Sequence, residues 1–131
     1  MISTELAAEL RSLSAPWRPG SGDRFVIPGR DLDDQVFVIS DMTIEAHDVP
    51  GGRVIKFNGT TEWALDSIAV EDVLWLPRED QLRALCGRGF VRLEALPDGY
   101  AVVLADESRH VDIDPERAYA RAALSILRAG R

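Results

Sequence analysis

Two histidines, His47 and His110, are where chemistry would start in this 131-residue chain. His110-Val111-Asp112-Ile113-Asp114 reads as a strand running into a helix start. On a strand His110 and Asp112 project from one face, and imidazole with carboxylate is a fair beginning for a divalent metal site. Two ligands from one strand need completion from elsewhere, however. Asp114 is better spent as a helix cap ahead of Pro115. His110 and Asp112 are therefore weak metal candidates, and the plain reading is a polar strand face. His47-Asp48 resembles a catalytic pair only on paper, because neighbouring strand residues point to opposite faces. His47 instead suits a pocket near the first hairpins, bounded by Asp41, Asn58 and Trp63. Such a pocket would serve a small-ligand binder or a modest hydrolase.

Other constellations are weaker. Asp31-Leu32-Asp33-Asp34 with Asp41 is dense in acids, but a calcium loop of the EF-hand type needs glycine at its sixth place, where Val36 stands. The cluster reads as a solvated loop. Cys86 lies on the apolar stripe of a helix, near the end where the dipole disfavours a thiolate, so it reads as a buried structural thiol. No serine sits in a nucleophile elbow, and no glycine-rich phosphate loop occurs. No catalytic residue and no cofactor is expected.

Charge narrows the partners. Net charge is −7, which disfavours broad contact with a nucleic-acid backbone. Of the fifteen cationic residues only Lys56 is lysine; with the abundant alanine, that bias reads as GC-rich coding. The longest apolar runs are strand-sized, well short of the roughly 20 residues of a membrane-spanning helix. The start of the chain has no basic region followed by a long apolar core, and a single cysteine forbids an internal disulfide. A cytoplasmic protein is expected.

These residues are carried on a readable series of elements. Thr4 to Leu13 has leucines at helical spacing, and Ala15 to Gly22 breaks it. Strands are expected at Phe25–Ile27, Gln35–Ser40, Thr43–His47 and Arg53–Phe57, with a hairpin turn at Pro50-Gly51-Gly52. A short helix could open over Thr60–Asp66. Val73-Leu74-Trp75-Leu76-Pro77 then joins two halves that look alike, with Pro77 suited to a first helical position. Gly87-Arg88-Gly89 ends that helix. Phe90–Ala95 and Tyr100–Ala105 flank the turn Pro97-Asp98-Gly99, and Arg109–Ile113 leads into the last helix, whose stripe is Tyr119, Ala122, Ala123, Ile126 and Leu127. The expected fold is one α+β domain over residues 1–131. It has an antiparallel sheet of about six to seven strands in two meanders, with three to four helices.

Two surfaces stand out for contacts. Arg117, Arg121 and Arg128 share a face of the last helix, and Trp17 sits in an extended proline-rich connector where an exposed indole would anchor an interface. The expected role is that of a non-enzymatic interaction domain with a protein partner, as a homodimer, with no nucleic acid and no membrane.

Several long motifs run through the chain: Gly22-Asp23-Arg24-Phe25, Val38-Ile39-Ser40-Asp41-Met42-Thr43, Phe57-Asn58-Gly59-Thr60-Thr61-Glu62-Trp63-Ala64-Leu65-Asp66 and Trp75-Leu76-Pro77-Arg78-Glu79-Asp80-Gln81-Leu82. On these the chain resembles a family of small, uncharacterised actinobacterial proteins whose members often carry a pilus-assembly label of the CpaE type. The resemblance implies an accessory role in an assembly. The second half is also similar to small phage-associated proteins of firmicutes that share a Trp-Leu-Pro…Gln-Leu segment and have no assigned function. Neither resemblance implies catalytic residues.

Overall fold

Short turns between β-branched runs set the local architecture. The computed structural model describes residues 1–29, 31–40, 44–57 and 67–130. In chain order the elements are α1 (Thr4–Ser12), β1 (Arg24–Ile27), β2 (Leu32–Val38), β3 (Ile44–Val49), β4 (Gly52–Phe57), β5 (Ser67–Ala69), β6 (Leu74–Leu76), α2 (Glu79–Cys86), β7 (Phe90–Leu96), β8 (Gly99–Leu104), β9 (Arg109–Asp112) and α3 (Pro115–Ala129). The class is α+β. Among the described residues there are three α-helices and nine strands, arranged as three antiparallel three-stranded sheets, β2-β1-β6, β3-β4-β5 and β7-β8-β9.

That arrangement corrects the expectation of one sheet in two meanders. β3-β4-β5 and β7-β8-β9 are both meanders, as expected, but each is a sheet of its own. The earlier strands are shared between two sheets, because β1 pairs with β6, far along the chain, with Phe25 opposite Trp75. β5 and β6 are three residues each, too short for alternation to announce them. The acids at Asp33 and Asp34 also lie within β2 and not in a loop. The short helix expected over Thr60–Asp66 lies outside the described residues.

The chain forms two compact units, Trp17–Leu76 on the one hand and Met1–Pro16 with Pro77–Arg131 on the other. The first unit is built on a cluster of Phe25, Ile27, Phe37, Ile39, Ile55, Ile68 and Val73. Phe25, Phe37 and Phe57 meet there as stacked and edge-on rings with centroids 5.4 to 6.3 Å apart. The β3–β4 hairpin turns at Pro50-Gly51, where Gly51 at φ 94° takes a backbone conformation that a side chain would resist.

In the second unit α3 is nearly surrounded. It touches α1, α2, β8 and β9. Alanine makes this possible: Ala118, Ala120, Ala122 and Ala123 are fully buried, letting neighbouring backbones approach closely. Asp114 caps the helix by accepting from the Glu116 N–H at 2.9 Å, ahead of Pro115, as its sequence implies. Ser3 does the same for α1 through the Leu6 N–H. α2 differs in detail. It begins at Glu79 and not at Pro77, since the Arg78 N–H is taken by the Gln81 side chain at 2.9 Å and holds Arg78 as the cap.

Candidate functional site

β3 places Glu45 and His47 two residues apart, hence on one face, with Nε2 of His47 3.2 Å from Oε1 of Glu45. Asp48 points elsewhere and pairs across the hairpin with Arg53 at 2.9 Å. The imidazole's carboxylate partner is thus Glu45, which spacing by two could have revealed. Both belong to a cleft of about 220 Å³ lined by Pro19, Gly20, Ser21, Ile39, Ser40, Glu45, Ala46 and His47. His47 remains about half exposed, at 46%, so the pair sits at an open wall and not in a sealed pocket. Asp41, Asn58 and Trp63, the other expected pocket residues, lie outside the described residues.

The structure gives His110 and Asp112 separate duties. His110 Nε2 is 2.9 Å from the Ser108 hydroxyl, which lies 2.6 Å from Asp106. Burial lowers the His110 pKa from its usual 6.5, partly opposed by the nearby Asp106 charge. Asp112 is committed to α3: its Oδ1 accepts from Arg117 Nε at 2.8 Å and from the Asp114 N–H, and its Oδ2 from Arg121 at 3.0 Å. Burial alone would raise the Asp112 pKa. The Arg117, Asp114 and Arg121 hydrogen bonds outweigh it and hold the carboxyl below its usual 3.8. A metal ion would have to displace two guanidinium groups. Among the described residues no group of three or more His, Cys, Asp or Glu side chains is placed to hold one.

The expected contact surfaces are likewise engaged. Arg128 of α3 reaches Glu9 of α1 at 3.4 Å, so Arg117, Arg121 and Arg128 each have an acid within the chain. Trp17 is not an exposed anchor. Its ring stacks on Trp75 at 5.5 Å and 3° interplanar angle, and its Nε1 donates to buried Asp23 at 2.9 Å. The prolines around it extend the connector enough to lay the indole flat on β6. Cys86 is buried, and burial pushes its thiol up to about 11, as a structural role requires.

A second constellation escaped the sequence reading. On the β7-β8-β9 sheet, Glu94 accepts from Arg92 Nε at 2.6 Å and from Arg109 Nη1 at 2.7 Å, bridging β7 to β9 across β8. Arg92 and Glu94 show the two-residue spacing of one strand face, but Arg109 joins them only through the meander. Beside this triad is a cleft of about 300 Å³ lined by Val91, Arg92, Val103, Leu104, Ala105, Glu107 and Arg109.

Comparison with protein-family models, with curated proteins and with solved structures finds no significant match to this chain. No helix among the described residues is long and apolar enough to cross a membrane.

Proposed function

We propose that this protein is a non-enzymatic interaction domain of the cytoplasm whose partner is a protein, in the first place a second copy of the chain. One observation carries the reading. Val91, Val111 and Ile113 stand 49%, 52% and 72% exposed around a single three-stranded sheet. That sheet ends in strands β7 and β9, which have no further strand beside them among the described residues. Large aliphatic groups grouped at sheet edges are a contact surface in waiting, because edges carry unpaired backbone donors and acceptors. The resemblance to small actinobacterial proteins with a pilus-assembly label supports an accessory role in an assembly. The test is solution mass by light scattering over a micromolar concentration series. A mass rising toward twice that of one chain supports the reading, and a strict monomer overturns the homodimer.

The Glu45–His47 pair favours a second reading, a small-ligand binder or modest hydrolase at the cleft beside β3. Thermal-shift screening with metals, nucleotides and small acids tests it. A ligand that raises the melting temperature of the native protein, but not of His47→Ala, supports this alternative.

A further inference from the structure

We propose that the face of the β7-β8-β9 sheet turned away from α3 is self-complementary, and that a second copy of this chain docks on it face to face. The proposal rests on the interaction reading above and adds its surface and its chemistry. Strand register decides what that face carries. Arg92, Val103 and Arg109 lie side by side across the three strands, as do Glu94, Ala101 and Val111. The opposite face carries Asp112, which holds Arg117 and Arg121 of α3, and that face is therefore occupied within the chain.

At the centre of this face Ala101 and Val103 are buried, so the open aliphatic surface is that of Val91, Val111 and Ile113 towards its margins. Its charges come to zero: Arg92 and Arg109 against Glu94 and Glu107. Balance matters here because each copy carries −7, so two copies repel except where the meeting surfaces are locally neutral. A two-fold axis makes each residue meet its counterpart reciprocally. Glu107, with no ion-pair partner among the described residues, supplies a carboxylate for Arg109 of the second copy. Each guanidinium has five N–H donors, so Arg109 can serve Glu94 and an incoming acid together. Three strands about 4.8 Å apart, of 7, 6 and 4 residues, present roughly 300 Å² of face, well below the usual ~800 Å² per partner. The dimer should accordingly be weak and concentration-dependent, with dissociation in the micromolar range.

Light scattering on the full chain and its variants tests the surface. The wild-type protein should dimerise on the order of 10–100 µM. Val111→Asp combined with Ile113→Asp, both at exposed positions, should be monomeric there while keeping the wild-type circular dichroism. Glu107→Lys and Arg109→Glu should each weaken self-association by about tenfold or more, and an equimolar mixture of the two should regain it, since each restores the other's lost charge pair. If the wild type dimerises but these variants do so equally well, or if Val38→Asp on β2 abolishes the dimer instead, this face is wrong and the interaction reading stands. If the wild type stays monomeric throughout, the homodimer and this interface fall together.

Discussion

Asp112 and Arg117 meet at 2.8 Å, and with Arg121 bound to the second carboxylate oxygen they fasten the last strand to two successive turns of the last helix. The Asp112 side chain is only 9% exposed, so these are hydrogen bonds of charged groups partly removed from water.

Asp112→Asn should lower stability at pH 7 by about 2–3 kcal/mol, since a charged acceptor is lost while two arginines remain. The pH dependence follows from the lowered pKa. A carboxyl whose folded pKa lies below its unfolded value stabilises fully above the unfolded value and loses that contribution as pH falls through the folded one. The gap between wild type and Asp112→Asn should therefore be constant from pH 7 to about pH 5 and close below about pH 4. Melting temperatures of both proteins from pH 7 to pH 2 check this. A gap unchanged at the acid end contradicts the assigned role.

Trp17→Ala should destabilise the Trp17–Leu76 unit by about 3 kcal/mol or more, because it removes the stacked face on Trp75 together with the donor to Asp23. Trp17→Phe should keep most of the ring contact and cost about 1 kcal/mol for the missing N–H. Denaturant unfolding followed by circular dichroism measures both. Wild-type stability in Trp17→Ala would restore the exposed-anchor reading.

Gly99→Ala should destabilise the β8–β9 pairing by about 1–3 kcal/mol, an overpacking cost. A Cβ there would come within 2.6 Å of the Asp112 carbonyl oxygen and 3.1 Å of the Ile113 Cα. Both are backbone atoms, so relief requires the strands to part. Amide hydrogen exchange should quicken at Tyr100 and Val102, which lie opposite Asp112 and His110. Unchanged protection would show that the turn absorbs the methyl group.

Cys86 should be nearly inert to a thiol reagent in the native protein at pH 8, with burial pushing its pKa up to about 11. In denaturant it should react at the rate of an ordinary thiol. Fast native labelling would mean that the α2–α3 packing opens readily.

Local signals proved readable where one residue type has one physical job. The Pro97-Asp98-Gly99 turn, the Asp114-Pro115 helix start and the glycine close of α2 at Gly87, with φ 57°, all match the structure. What could not be read depends on contacts remote in sequence. β6 pairs with β1 at a distance, which turns Trp17 from a surface anchor into a stacked ring. The arginines of α3 look like one basic face until Asp112 and Glu9 are brought against them. The Glu45–His47 contact follows from a strand aligning every second residue, a relation that the adjacent His47-Asp48 pair obscures in the sequence.

The Trp17–Leu76 unit is inserted between the two segments of the other, and this orders events during translation. α1 emerges ahead of the inserted unit, yet its partner α3 follows roughly 100 residues later, about 5–20 s at ordinary ribosomal speed. Nine residues are too few to hold a helix in water unaided. Leu6 and Leu10 must wait unsheltered while the inserted unit, complete in sequence well before, is free to fold ahead of them.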